Sequence, residues 1–362
     1  MRLSNIGVVA CPFDQILFAL PTEELTPRAN SPSWAGTNNY FPMGLSESVV
    51  RLWVDGQSAG SCQKGSTTAK TIPVLESSLR NYDDTVLDAI DAVLVKLAAK
   101  SIKAIISPHY AANQFKSGSS DPYWNAYGSG YFYESQDAFD DYDARLSHVL
   151  SYEGKISGRV WKNWSAAIAA FDLQNEPMST ETEECAGAAG ASWVCGRARH
   201  MRGVLGADNP IKIASGGLGG DVSKGCTFMP AAVNCPELDV IAIHRYAGTE
   251  AANPNEWSAA AAGYVARAGG KLVYVEEWGV RQYGGGAAEA GVEYPAQADD
   301  MSEAGLPALY WQIVPPRTCG YDPAQDPDDS FSIFTDSGVD IAGPMKRASS
   351  TIGLQDWTGV IY

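Results

Sequence analysis

The run Ala169-Ala170-Phe171-Asp172-Leu173-Gln174, followed at once by Asn175-Glu176-Pro177, decides the fold. A short apolar-rich run without strict alternation reads as a strand buried on both faces, the mark of a parallel sheet covered by helices. Working outward, seven more runs of this kind lie at 34–39, 49–54, 102–107, 211–214, 238–243, 271–275 and 306–312. Helical spacing of apolar residues fills the intervals at 85–100, 139–150, 191–205, 255–268 and 287–304. Strands alternating with helices in this way predict an α/β fold, a single-domain (β/α)8 TIM barrel. A doubly wound open sheet is the alternative, disfavoured because no glycine-rich phosphate loop follows the first strand.

One interval is out of step. Only nine residues, Tyr40 to Ser48, separate the first strand from the second. A parallel crossover takes a dozen or more and normally includes a helix. Either the first helix is missing, which would leave one side of the barrel uncovered, or the first strand is misplaced.

The balance of charge narrows the partners. A formal net charge of −16 argues against nucleic acid or an anionic membrane, since a phosphate backbone needs a basic face. It suits a neutral substrate, and equally a surface that is merely kept soluble. No segment after the N-terminus approaches the ~20 apolar residues of a membrane span. Residues 1–30 read as a leader and propeptide-like segment, with Met1-Arg2 ahead of an apolar stretch that Pro12, Asp14 and Gln15 interrupt. Residues 31–362 then form the barrel, and the protein is expected to be secreted and monomeric.

Of the seven cysteines, none has the close paired spacing of a zinc site. With Cys11 in the leader, six remain to pair in an oxidising compartment. Short-loop pairs Cys185–Cys195 and Cys226–Cys235 are expected, with Cys62–Cys319 as the third, although six cysteines allow 15 connectivities. No cluster of His, Cys or carboxylates has ligand spacing, so neither a metal nor another cofactor is expected.

In such a barrel, functional groups gather at the C-terminal ends of the strands. The polar residues of this chain accumulate there: Arg51, His109, Asn175-Glu176, His244, Tyr246, Glu276-Glu277 and Trp311. A charge in a buried strand, as at Arg51, needs a partner. Glu176 and Glu277 face each other across the mouth, and a carboxyl pair of this kind is what glycoside hydrolysis requires. Glu276 is assigned no chemistry, because successive side chains on a strand point to opposite faces. The stretch from Tyr110 to Tyr133, rich in aromatics among Gly, Ser and Asn, reads as a loop lining a groove. Trp124 within it and Trp278 beside Glu277 are expected to stack on sugar.

Phe171-Asp172-Leu173-Gln174-Asn175-Glu176-Pro177 resembles the acid/base strand of glycoside hydrolase family 5, and Val275-Glu276-Glu277-Trp278-Gly279 its nucleophile strand. The resemblance runs from about Trp34 to Trp311. It implies a retaining mechanism with Glu176 as acid/base and Glu277 as nucleophile. It further implies that Arg51 binds the nucleophile, that His109 and Asn175 contact the sugar and its 2-hydroxyl, and that His244 and Tyr246 tune the carboxyls. Trp311 would be the platform under the sugar. The Glu-Glu-aromatic-Gly segment is most similar to fungal-type endo-β-1,4-mannanases, which implies a β-mannan substrate. β-1,4-Glucan and exo-acting cleavage are the alternatives within the family; a non-catalytic carbohydrate-binding barrel is the alternative of another class.

Overall fold

The computed structural model describes residues 31–38, 48–56, 71–111, 120–246, 256–280, 287–314 and 331–362. Eight parallel strands close a barrel. In chain order they are β1 (Ala35–Asn38), β2 (Val49–Trp53), β5 (Lys103–Ser107), β6 (Ile168–Asp172), β7 (Lys212–Ala214), β8 (Val240–Arg245), β9 (Leu272–Trp278) and β10 (Ala308–Tyr310). All eight fall within or overlap the runs expected from the sequence. Among the described residues two small pairs lie outside the barrel: the hairpin β3 (Glu76–Ser78) with β4 (Asn81–Tyr82), and β11 (Ile313–Val314) with β12 (Ile333–Phe334).

Around the barrel run α1 (Thr85–Ala98), α2 (Pro122–Glu134), α3 (Gln136–Ser151), α4 (Ala188–Leu205), the short α5 (Pro230–Val233), α6 (Glu256–Arg267), α7 (Ala287–Glu303) and α8 (Ala342–Ala348). α1 shows why: Leu87, Leu94 and Leu97 recur at helical spacing and are wholly buried, each contributing about 1.5–3 kcal/mol against the outer face of the strands.

The inner face changes character along each strand. At the N-terminal end it is apolar and mostly small, with Val49, Ala170, Ala214, Val240, Ala242 and Leu309 in one buried cluster. Two residues further on, the same face carries Arg51, Asp172 and His244, as the period of two demands. The floor is closed from below by Trp357, Val360 and Ile361. The Trp357 ring meets Trp34 edge-on at 5.1 Å, and Lys103 Nζ donates to the Val360 carbonyl at 2.6 Å.

The first strand is in place, for β1 pairs in parallel with both β10 and β2. The connection to β2 lies outside the described residues over 39–47. The exterior at β1 is covered from elsewhere in sequence: α8 packs against β1 and α7, burying Met345 and Ala348.

Two expectations are corrected. The aromatic stretch after the third barrel strand is not one loop. Asp121 caps a helix by accepting from the backbone of Tyr123 and Trp124, Pro122 follows at the first turn, and a kink at Gly128 (φ +65°) divides it. The turn-forming composition concealed that start signal. Residues 112–119 of the stretch lie outside the described residues.

Among the described residues the disulfides are Cys185–Cys226 and Cys195–Cys235, with Cα atoms 5.4 and 5.5 Å apart. Cys195 lies seven residues into α4, which carries it about 10 Å along the helix from the turn that holds Cys185, beyond the reach of a disulfide. Cys11, Cys62 and Cys319 fall outside the described residues, as does the leader reading of residues 1–30.

Candidate active site

The site is built on a β-bulge. Along β8, Ile243 pairs with Val275 and the next residue, His244, pairs with Glu277, which leaves Glu276 as the extra residue of β9. A bulge breaks the alternation of a strand, and Glu276 and Glu277 therefore both reach the same buried cluster. The sequence expectation that Glu276 turns away is corrected here. Its carbonyl is not orphaned: Asn38, fully buried on β1, donates Nδ2–H to it at 2.8 Å.

Arg51 is the hub. Its Nε lies 3.0 Å from Asp172 Oδ2, Nη1 2.5 Å from Glu277 Oε1, and Nη2 3.2 Å from Glu276 Oε2. Nη2 also donates to Asn175 Oδ1 at 2.6 Å. Burial opposes the guanidinium charge, but Glu276, Asp172 and Glu277 outweigh it and raise its pKa further. Such a fork serves several oxygens at once, which a lysine could not do.

The carboxyls around Arg51 differ. Asp172 is pushed well above the usual carboxylate range, by burial first and by the Glu276 charge next. Glu276 goes the other way, to about 2: burial would raise it, but Arg51, His244 and Tyr274 hold it ionised. Glu277 is raised by burial, with His244 and Arg51 opposing and Glu176 adding to the rise. Its Oε2 accepts from the Tyr246 hydroxyl at 2.5 Å.

Glu176 arrives by a strained route. Its φ is +50° and that of Met178 is +62°, left-handed values that cost non-glycine residues on the order of 1–3 kcal/mol. The surroundings hold the strain. Glu176 N donates to the Gly216 carbonyl at 2.7 Å, and Gly219 N to that of Pro177 at 2.7 Å. Met178 N donates to the Tyr133 hydroxyl at 2.9 Å. The Glu176 carboxyl, 18% exposed, then points at His244, with Oε1 2.9 Å from Nδ1.

His244 stands between three carboxyls. Nδ1 is also 3.5 Å from Glu277 Oε2, and Nε2 is 2.9 Å from Glu276 Oε2. Burial lowers its pKa, yet Glu277, Glu176 and Glu276 together raise it to about 10. An oxygen of Glu176, an oxygen of Glu277 and a nitrogen of His244 lie within 4.8 Å of one another, close enough to hold an ion. The other such grouping among the described residues, Cys195, Cys235 and Glu237, has its sulfurs joined in a disulfide.

Arg51, Asn175, Glu176, His244, Tyr246 and Glu277 are thus brought together. Trp311 is partly exposed beside them, its ring edge-on to Trp53 at 5.4 Å. His109 is set back. Gln174 donates to its Nδ1 at 2.7 Å and its Nε2 lies 2.8 Å from Asp121, so both nitrogens serve the protein and the ring is 1% exposed. Trp124 is partly buried in the first turn of α2.

Trp278 does not face the mouth. It is buried outside the barrel, stacked on Tyr294 at 5.6 Å and against Trp257 and Tyr310, because the residue after Glu277 points to the opposite face. The sequence reading missed Asp172 and Gln174. Asp172 carried the same signal as Arg51, a charge inside a buried strand.

A family model described as cellulase (glycosyl hydrolase family 5) matches residues 49–315. Among solved structures, an endo-1,4-beta-mannanase from Rhizomucor miehei is similar at 18% identity and a TM-score of 0.64, covering 90% of this chain and 97% of that one. An endo-beta-1,4-mannanase from Thermotoga petrophila follows at 16% and 0.63, with 89% and 77% covered. An exo-beta-1,4-mannosidase from an Opitutaceae bacterium gives 15% and 0.62, with 90% and 62% covered. No curated protein sequence matches the chain. At these identities the solved structures speak to the fold. The family model covers most of the chain, including both strands that carry the carboxyl pair, and the protein belongs to glycosyl hydrolase family 5.

Proposed function

We propose that the protein is a retaining hydrolase that cleaves internal β-1,4 linkages of mannan by double displacement, with Glu176 as acid/base and Glu277 as nucleophile. The observation that carries this reading is the approach of the two carboxyls, an oxygen of each lying within 4.8 Å. Retaining enzymes hold the pair about 5–5.5 Å apart, whereas inverting enzymes leave room for a water between them.

In the first step Glu277 attacks the anomeric carbon and Glu176 protonates the departing oxygen. In the second, Glu176 takes a proton from the water that releases the sugar. Arg51 and the Tyr246 hydroxyl orient the Glu277 oxygens. Asn175, held by Arg51, and the partly exposed Trp311 are the groups set to meet the sugar ring.

Mannan is favoured because the similar solved structures named above act on β-1,4-mannan or mannosides. β-1,4-Glucan is the second reading, favoured by the cellulase description of the family model. The two disulfides support an oxidising, extracellular setting, and we read the protein as a secreted monomer. The test is hydrolysis of galactomannan, glucomannan, carboxymethylcellulose and laminarin, with the first-formed anomer followed by NMR. Mannan turnover with retention is expected. Initial inversion would remove Glu277 as nucleophile, and turnover of carboxymethylcellulose alone would replace mannan by glucan.

A further inference from the structure

Glu276 has no part in the roles proposed above, yet it is completely buried directly against them. Oε2 lies 2.9 Å from His244 Nε2 and 3.2 Å from Arg51 Nη2, while the Tyr274 hydroxyl donates to Oε1. A carboxylate ringed by donors and paired with a guanidinium stays ionised, and an ionised carboxylate only accepts hydrogen bonds. The contact at Nε2 therefore requires a proton on that nitrogen. The bulge at Glu276 is what brings the carboxyl there.

We propose that Glu276 is a positioning residue that holds His244 as the doubly protonated imidazolium, its carboxylate taking the Nε2–H, so that the Nδ1–H between Glu176 and Glu277 is the ring's working donor. The proposal rests on the double-displacement reading of those two glutamates. As the bond from the anomeric carbon to the departing oxygen breaks and the bond to Glu277 forms, Glu176 gives up its proton and becomes an anion. Nδ1–H, 2.9 Å from Glu176 Oε1, donates to that anion until a proton from the attacking water returns to Glu176. A partner on the far nitrogen commonly sets the protonation and orientation of a functional histidine.

The charged and titratable groups facing His244 come from the neighbouring elements: Glu176 after β6, and Glu276 and Glu277 on β9, while Tyr246 after β8 reaches it through Glu277. Arg51 on β2 and Asp172 on β6 act through Glu276, and Asp221, bridged to His244 along the backbone, spends its carboxylate on the backbone of Tyr246 and Ser223. Of these, Glu276 alone contacts Nε2.

The chain has four histidines, so imidazole nitrogens can be read directly in 15N-histidine spectra, with His244 assigned by its loss in His244→Asn. The wild-type protein is expected to show two protonated nitrogens on His244 from pH 5 to 8. In Glu276→Gln the His244 titration should move down by about one pH unit or more, since a neutral neighbour no longer favours the cation. The alkaline limb of kcat should follow, with kcat about tenfold lower and KM little changed. Glu276→Asp, which keeps the charge, should restore the profile in part.

An unshifted His244 titration in Glu276→Gln overturns the proposal, even if activity falls. So does a neutral His244 in the wild type, in either tautomer, which can be read should Glu276→Gln fail to fold. Full activity in Glu176→Gln or Glu277→Gln would instead sink the parent reading and leave the His244 protonation result intact.

Discussion

A Cβ atom on Gly217 would stand 2.4 Å from Cδ2 and Nε2 of the His244 ring, and the glycine holds φ +74°. No side chain fits there without moving the imidazole, and the backbone angle is one that only glycine adopts freely. Gly217→Ala should therefore displace His244 from Glu176 and Glu276. We expect kcat to fall roughly 10²-fold, the scale of a displacement of about 1 Å in such a site, with a lower melting temperature by calorimetry. Normal kcat in a folded variant would show that the histidine tolerates the shift.

The two glutamates should separate from the rest of the site by what they cost. Glu176→Gln and Glu277→Gln each keep the volume of the carboxyl they replace. Each is expected to lower kcat by roughly 10²–10⁴-fold on the best polysaccharide, with the circular dichroism spectrum unchanged. Steady-state kinetics on the purified variants decide it.

Arg51 and Asp172 touch one another, yet their removal should not cost the same. Arg51→Met leaves buried Glu276 and Glu277 without their cation and should destabilise by about 3–5 kcal/mol. Asp172 is pushed up by burial and by Glu276, so its surroundings disfavour the charge that an amide would lack. Asp172→Asn should thus stay within about 1 kcal/mol of the parent. Urea titrations at pH 7 compare the two; equal losses would contradict a site that disfavours the Asp172 charge.

The pH dependence of stability follows from two opposite shifts. Glu276 falls from 4.5 to about 2 on folding, so its contribution is complete above pH 4.5 and is lost as pH drops towards 2. His244 rises from 6.5 to about 10, so its contribution is complete below pH 6.5 and is lost as pH climbs towards 10. The two overlap between pH 4.5 and 6.5. Asp172, raised instead, favours acid, and the acid limb is best read in Asp172→Asn. Denaturant midpoints from pH 3 to 10 should peak in that window, and Glu276→Gln should flatten the acid limb.

The staples make a separate prediction. Cys185–Cys226 ties the turn after Glu176 to the loop that follows the glycines at 216–220. Replacing both of its cysteines with serine should cost about 2–4 kcal/mol and lower kcat, because the strained Glu176 backbone loses a neighbour that confines it. Removing Cys195–Cys235, which joins α4 to the turn after α5, should lower stability with less effect on kcat. Melting temperatures and kcat for the two double variants separate the effects.

Much of the barrel was legible because parallel strands buried on both faces leave a plain signal: short apolar runs with polar residues just beyond them. Arg51 was visible as a charge inside such a run, and Glu176 and Glu277 as charges just beyond one. What failed depended on departures from regular geometry. The bulge at Glu276 reverses the face a strict alternation assigns, so Glu276 was set aside. Strict alternation does hold for Trp278, which is why it packs under α7 instead of facing sugar. Asp121 hid a helix start inside a stretch rich in turn-forming residues. The cysteine pairs were misjudged because spacing along the chain says little once a helix of 18 residues intervenes.

The floor of the barrel bears on synthesis. Trp357, Val360 and Ile361 seal the N-terminal end of the inner core, yet they follow all eight barrel strands in the chain. A protein emerging residue by residue can close its ring of strands before these residues leave the ribosome, but the ring would then enclose an unsealed apolar lumen. The nascent barrel should stay soft and protease-sensitive until residue 361 has left the ribosome.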